Sequence, residues 1–318
     1  MSHSSQYLSP QTLVAERPAR LVFKPITFAD IPLLRPYLMQ SGSRSCDFTV
    51  GGVFMWIAYF GYEYCIWRDT LFIKGLSEDA TRRTAFSLPM GALPLPQAVA
   101  AVKAYCSQKG LTPLFSAIPE EYIDAFKALG ATAVEPLDSW ADYIYDSHDL
   151  ATLAGKRYNK KRNHVNRFEA DNPGWRLDDI DSGNIDELRT FFAALDIASE
   201  KADPAMAEYE REQCLEVLDN YSLFGFEGAL LRDGNGRIVA FTAAEPVGDT
   251  LVIHIEKMLH DVAGAGEAVN RFFAERMLER HPQLKYFNRE DDAGDPGLRY
   301  AKESYHPAFL LHKYNVVM

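Results

Sequence analysis

The chain has 318 residues, 47% of them hydrophobic, enough for one large domain or two of ordinary size around a real core. Its 33 Lys and Arg against 44 Asp and Glu leave a net charge of −11, which argues against a protein that coats nucleic acid in bulk. No apolar run approaches the roughly 18 residues of a membrane span, and residues 1–20 lack the apolar stretch of a secretory signal. The expectation is a loose tail ahead of a cytoplasmic protein without a transmembrane segment. Cys46, Cys65, Cys106 and Cys214 are scattered without CxxC spacing, and read as reduced thiols with no metal site.

In chain order, residues 21–27 read as a strand and 28–40 as a helix. Residues 46–60 form an aromatic-rich buried segment. Strands at 62–67 and 71–74 flank an Arg68-Asp69-Thr70 turn, and another covers 84–88. An amphipathic helix at 95–109 stops at Gly110. Then come a strand (111–118), a helix (119–129) and strands at 131–134 and 140–145. A basic helix opens the second half. It is followed by a strand at 175–180, helices at 185–200 and 205–221, a hairpin of 223–231 with 238–246, and a strand at 250–258. A helix (267–280), a strand (284–290), a helix closed by His306-Pro307 and a strand (309–316) end the chain. The shared order of elements predicts two α+β units of one architecture, residues 21–149 and 150–318, after the tail of residues 1–20.

Two stretches carry charge in a pattern that suggests chemistry. Residues 155–168 hold Lys156, Arg157, Lys160, Lys161, Arg162 and Arg167 without one acid. Helical spacing puts Lys156, Lys160, Asn163 and Arg167 on one face, a stripe that either holds phosphates or is merely solvated. Tyr158, Val165 and Phe168 share the opposite face with Lys161, which either snorkels outward or points into a cleft. The second stretch runs from Tyr286 to Pro307. Glu290, Asp291 and Asp292 end a strand beside a helix, capped by Asp295, that carries Arg299 and Lys302 one turn apart. A surface salt-bridge ladder is the plain alternative to a site. On the strand at 250–258, period two puts His254 and Glu256 on one side, His254 as a core histidine and Glu256 facing the cleft. His306 reads as a helix-end residue.

The order of the second half resembles the GNAT acyltransferase fold, in which a Gly-rich loop after the central strand holds the diphosphate of acyl-CoA. Gly264 and Gly266 match that loop; Asp261 stands where the family has Arg or Gln. The segments Lys156-Arg-Tyr-Asn-Lys-Lys-Arg-Asn-His-Val-Asn-Arg-Phe168 and Asn288–Pro307 are more specific, together with Ser45-Cys-Asp-Phe-Thr-Val-Gly-Gly-Val-Phe-Met-Trp56. They resemble the C-terminal domain family of phosphatidylglycerol lysyltransferase, a tandem-GNAT group similar in fold to Fem-type peptidyl transferases. The resemblance implies two tandem GNAT-like domains. It also implies an aminoacyl-tRNA donor in place of a cofactor, with tRNA and a small or peptide-like acceptor as partners.

On that reading an amine or hydroxyl attacks an activated ester, which needs a proton acceptor, a group near the developing oxyanion and a grip on the carrier. Glu290, Asp291 and Asp292 are candidates for the base or for holding an ammonium, and Arg299 and Lys302 for the oxyanion or the carrier's phosphates. Lys160, Lys161, Asn163, Glu256 and Tyr305 are expected to contact substrate, and Lys156, Arg167, Gly264 and Gly266 to contact phosphate. An acyl-CoA-dependent N-acetyltransferase and a non-catalytic ligand- or tRNA-binding protein remain as alternatives. The sequence leaves the oligomeric state open.

Overall fold

The computed structural model describes residues 21–195 and 204–318; the expected tail and the end of the helix at 185–200 lie outside the described residues. The first half runs β1 (Lys24–Pro25), α1 (Ile31–Leu38), α2 (Val50–Phe54), α3 (Ile57–Phe60), β2 (Glu63–Ile66), β3 (Thr70–Leu76), β4 (Thr84–Phe86), β5 (Met90–Gly91), α4 (Leu95–Lys109), β6 (Leu114–Pro119), α5 (Ile123–Ala128), β7 (Ala133–Pro136) and β8 (Asp142–Asp146). The second runs α6 (Ser147–Thr152), α7 (Asn159–Asp171), β9 (Arg176–Asp179), α8 (Ile185–Ala193), α9 (Pro204–Asp219), α10 (Tyr221–Phe224), β10 (Glu227–Arg232), β11 (Ile238–Val247), β12 (Thr250–Met258), α11 (Ala265–Arg280), β13 (Tyr286–Asn288), α12 (Pro296–Glu303), β14 (Phe309–Leu311) and β15 (Lys313–Val317).

These elements build two mixed, mostly antiparallel sheets flanked by helices. One has the order β1-β2-β3-β4-β6-β15-β7, with β5 added on β3; the other is β14-β8-β13-β12-β11-β10-β9. Each has a parallel step, β4 with β6 and β12 with β13. Each also borrows a strand. β8 leaves the first half to lie between β13 and β14, and β15 returns from the end of the chain to lie between β6 and β7. The expected single strand at 309–316 is therefore two strands in two sheets, and a cut at residue 150 would leave each sheet short of one strand.

The exchange ties the halves together, and so does packing. One apolar cluster runs from Leu34, Phe54 and Phe115 through Phe224 and Phe241 to Ile255, on the face of the second sheet toward the first half. The other face packs on α6, α7 and α11 through Tyr145, Phe168, Leu251, Phe273 and Phe287. Polar ties cross as well. Arg44 makes a bidentate pair with Asp249 at 3.0 and 2.8 Å, and Arg35 donates to the carbonyls of Leu223 and Phe224.

Helix ends follow local chemistry. Gly110 closes α4 in the left-handed region at φ 65°, and the Asp295 carboxylate caps α12 by accepting from the N–H groups of Gly297 and Leu298 at 2.7 and 2.9 Å. The very polar α7 is held by Val165 and Phe168, both fully buried, roughly 2 kcal/mol of apolar burial each.

Candidate active site

The central event is the parting of β12 and β13. They pair only over Thr250, Leu251 and Val252 against Tyr286, Phe287 and Asn288. Beyond that, β12 carries a bulge. Ile253 faces Ala244 and Ile255 faces Ala243 across the ladder, leaving His254 as the extra residue. A bulge reverses the inside-outside alternation. His254 and Glu256 therefore lie on opposite faces of the sheet, a correction to the period-two expectation.

On the helix-covered face, Arg289 follows the last residue of β13 and meets Glu256 at 2.7 Å. The Asn270 amide donates to the other Glu256 oxygen at 3.2 Å. The Arg289 guanidinium lies 4.8 Å from the Tyr305 ring and 5.8 Å from that of Tyr145. Lys161 points inward here, 4.0 Å from the Tyr305 ring and 3.4 Å from Glu267. Burial lowers the Lys161 ammonium below the usual lysine range even though Glu267 pulls it up. For Arg289 burial is outweighed by Glu256, so the guanidinium stays charged. Two buried atoms in this opening, Arg289 Nη1 and Asn270 Oδ1, have no hydrogen-bond partner among the described residues. Such atoms are expensive to leave bare, and they mark where a ligand or water would bind.

On the other face the polar groups lie between the halves. His254, stacked on Phe226 at 5.0 Å, has Nδ1 2.7 Å from Glu290 Oε1 and Nε2 3.5 Å from Glu245 Oε2, an ion-pair distance without hydrogen-bond alignment. Burial disfavours the charged ring, but the two carboxylates outweigh it and lift His254 to about 9. The Gly51 N–H donates to Glu245 at 3.1 Å, and a Cβ at Gly51 would sit 2.4 Å from the imidazole, so only glycine lets α2 pack here. His254 is thus buried, as expected, but as a charged link between halves. Next to it Lys313, fully buried, contacts Asp142 and Asp47 at 2.7 Å each and Cys46 Sγ at 3.5 Å. The Asn288 amide donates to Asp142 at 2.8 Å and to the Arg44 carbonyl at 2.7 Å, while its Oδ1 accepts from the Glu290 N–H. Asp291 shares this neighbourhood with Cys46 and Asp142, and Lys313 pairs with Asp142 there.

The loop from Arg289 to Gly294 passes between these two groups. Glu290 and Ala293 hold positive φ of 57° and 47°, a strained backbone for residues with a Cβ. Asp292 is buried and accepts from Arg299 at 2.7 and 2.9 Å and from the Tyr143 hydroxyl at 2.7 Å. Burial raises its carboxyl, but Arg299 and Tyr143 prevail and hold it below the usual range. Lys302 is buried and donates to the carbonyls of Arg289 and Asp291. Asp292, Arg299 and Lys302 thus clamp the loop, and Glu290 is taken up by His254. Asp291 differs: burial lifts its carboxyl to about 7 against the pull of Lys313 and Lys302. Its one side-chain hydrogen bond among the described residues is from the Ala293 N–H at 2.9 Å.

The residues expected in the basic stripe lie on the surface, Lys156 on the turn ahead of α7. Lys156, Lys160, Asn163 and Arg167 are exposed. Arg167 pairs with Asp171 at 3.3 Å, while Lys156 and Lys160 have no ion pair among the described residues. The glycine loop is another matter. A Cβ at Gly264 would stand 2.2 Å from the His164 carbonyl of α7, and one at Gly266 2.8 Å from Met258 Cε. Glu267 occupies the start of α11, with Lys161 at 3.4 Å and His164 at 3.8 Å. Gly264 has the backbone freedom the loop needs, at φ 79°, but α7 takes up the space above it.

Arg289, Asn270, Asp142, Cys46, Asp47 and Lys313 were not picked out by sequence reasoning. Arg289 sits inside a motif quoted above, where its neighbours drew attention. Cys46 and Asp47 belong to the quoted aromatic segment. Lys313 lies 267 positions from Cys46, on a strand that crosses between sheets, and no local pattern announces it.

The family model for phosphatidylglycerol lysyltransferase, C-terminal, matches residues 39–317. The chain belongs to this family. A conserved protein of unknown function from Bacteroides thetaiotaomicron is 29% identical, with a TM-score of 0.83 over 94% of this chain and 100% of that one. The L-PGS structure from Bacillus licheniformis, at 18% identity and a TM-score of 0.62 over 90% and 91% of the two chains, shares the fold. An uncharacterized protein of Mycoplasmoides gallisepticum is 23% identical over 192 residues; the chain spans 56% of that relative's length. Among the described residues no helix is long and apolar enough to cross a membrane.

Proposed function

We propose that the protein transfers an aminoacyl group from aminoacyl-tRNA to an amine or hydroxyl acceptor, on a tandem GNAT-like scaffold. The observation that carries the reading is the opening between β12 and β13, where Arg289 Nη1 and Asn270 Oδ1 stand buried and unpartnered beside Glu256 and Lys161. An aminoacyl ester complements this set. Its carbonyl oxygen accepts from Arg289, and its α-ammonium donates to Asn270 and Glu256. As the acceptor attacks, Arg289 stabilises the oxyanion; the new C–N or C–O bond forms and the ester bond to the ribose breaks. Asp291 lies in the loop between the two polar groups, with its carboxyl on the side of Cys46 and Asp142. It would take the proton from the attacking group and return it to the ribose oxygen, which requires the acceptor to approach the carbonyl from that side. Its carboxyl near 7 suits that task at neutral pH, while Glu290 and Asp292 are already paired. No covalent intermediate is needed.

The exposed stripe of Lys156, Lys160, Asn163 and Arg167 would grip tRNA phosphates. The closed space above Gly264 and the carboxylate of Glu267 weigh against a CoA diphosphate. Family membership supports a transfer reaction in general terms. A tRNA donor suits a cytoplasmic protein, as do four buried cysteine thiols.

The carrier is tested by binding a total aminoacylated tRNA pool and the same pool deacylated, at low and moderate salt, to the wild type and to Lys160→Ala/Lys161→Ala. Tighter binding of the charged pool, weakened by salt and by the substitutions, is expected. Absence of binding to either pool sinks the proposal and makes CoA thioesters the next ligands to try.

A further inference from the structure

The first sheet parts as the second does. β4 and β6 pair only through Phe86 and Phe115, and Ala117 then turns through φ 55°. In the gap lies a cavity of about 30 Å³, room for about two waters or the end of a small molecule. Its polar lining is Asp47, Tyr62, Glu78, Ser87 and Ser116, set against apolar Ile73 and Phe86. Glu78 is only 9% exposed, and its Oε2 has no hydrogen-bond partner among the described residues. The residue is pinned, since its N–H donates to Ser116 Oγ at 3.3 Å and Ser116 donates to Asn315 on the exchanged strand β15 at 2.6 Å.

Charge decides what fits. Around Glu78 stand Asp47, Asp291, Tyr62 and Lys313. The Lys313 ammonium is already shared between Asp47 and Asp142. An anion would face acids with no free cation, and an apolar molecule would leave Oε2 bare. Burial, then Asp47, push the Glu78 carboxyl well above the usual range, which favours its neutral form, and an incoming cation would displace that proton. We infer that this cavity is a binding site for a small primary amine, held as its ammonium by Glu78 Oε2 beside Asp47 and Tyr62. One positive charge enters and one proton leaves, so the buried charge does not change. The inference stands apart from the transfer reaction and is tested by binding alone.

The probe is ethylamine, titrated into the full chain by calorimetry in two buffers of different ionisation enthalpy. Ethanol and tetramethylammonium are the controls. Saturable ethylamine binding is expected, with up to one proton released per amine, and no saturable binding of either control. Glu78→Gln, checked for an unchanged melting transition, should bind at least roughly tenfold more weakly. Glu78→Gln binding as tightly as wild type, ethylamine binding without proton release, or no binding at all would each overturn the inference; the last leaves a cavity that holds water only. The wild-type proton count decides the matter even if the variant does not fold.

Discussion

Two gaps in two related sheets have been filled in opposite ways. Between β12 and β13 stands a complete ion pair, Arg289 with Glu256, under two tyrosine rings and reached by Lys161. Between β4 and β6 stands the Glu78 carboxyl beside Asp47, its Oε2 without a hydrogen-bond partner among the described residues, with a cavity next to it. A parallel step that parts leaves unpaired strand ends, which the sequence must cover with side chains. The second half covers them with both signs of charge and a strained loop. The first half covers them with an acid and little else. Shared topology creates the same opening twice, and side chains decide what each opening can do.

The sharpest way to break the comparison is to remove one partner from each gap. Arg289→Ala leaves Glu256 buried without its cation and should cost about 3–5 kcal/mol in urea unfolding. Glu78→Leu removes a buried carboxyl whose Oε2 has no partner among the described residues, and should be neutral or stabilising by roughly 1–2 kcal/mol. Equal losses at the two positions would show that the gaps are not energetically different.

The polar link between halves gives the next effect. The folded-state value of His254, about 9, lies above the ordinary 6.5. Its contribution is therefore whole below about 6.5 and fades as pH climbs through 9, by roughly 2–3 kcal/mol. Melting temperatures from pH 6 to 10 should fall accordingly, and His254→Gln should flatten that slope. Asp291 has the reverse sense: its carboxyl is lifted to about 7 from 3.8. An acid raised on folding costs nothing while protonated, and its penalty grows as pH rises from about 4 through 7. Asp291→Asn should thus raise stability by roughly 1–3 kcal/mol at pH 8, and a loss of stability there would count against its strained placement.

The smallest effect on stability is expected on the surface. Lys156→Ala/Lys160→Ala should change it by less than about 0.5 kcal/mol. If the stripe meets tRNA, the same change should lower the salt dependence of binding by roughly 1.5 in log–log slope. An unchanged slope makes the stripe a solvated face.

What could be read in the letters was local. The Asp295 cap, the Gly110 stop and the two faces of α7 follow from residue types at fixed spacing, and the structure has each of them. What escaped was set by contacts far apart in sequence. Period two misplaced His254 relative to Glu256 because a bulge depends on how β11 pairs with β12. Gly264 looked like a phosphate cradle, yet the His164 carbonyl of α7 lies over it. The exchange of β8 and β15 brings Asp142 to Lys313 in the core, and no short-range pattern encodes that meeting. The acidic loop was visible as a cluster. Only its partners distinguish Asp291 from Glu290 and Asp292.

The most direct test of the account is single-turnover transfer from a labelled aminoacyl-tRNA pool to a mixture of small amines and amino alcohols at pH 7.5 (about neutral, near the Asp291 value), comparing wild type with Asp291→Asn. The account predicts that the wild type moves the label from tRNA to an acceptor faster than buffer does. It also predicts that Asp291→Asn, still folded, is slower by about 10²–10⁴-fold. A wild type no faster than buffer, or an Asp291→Asn variant as fast as wild type, would contradict it.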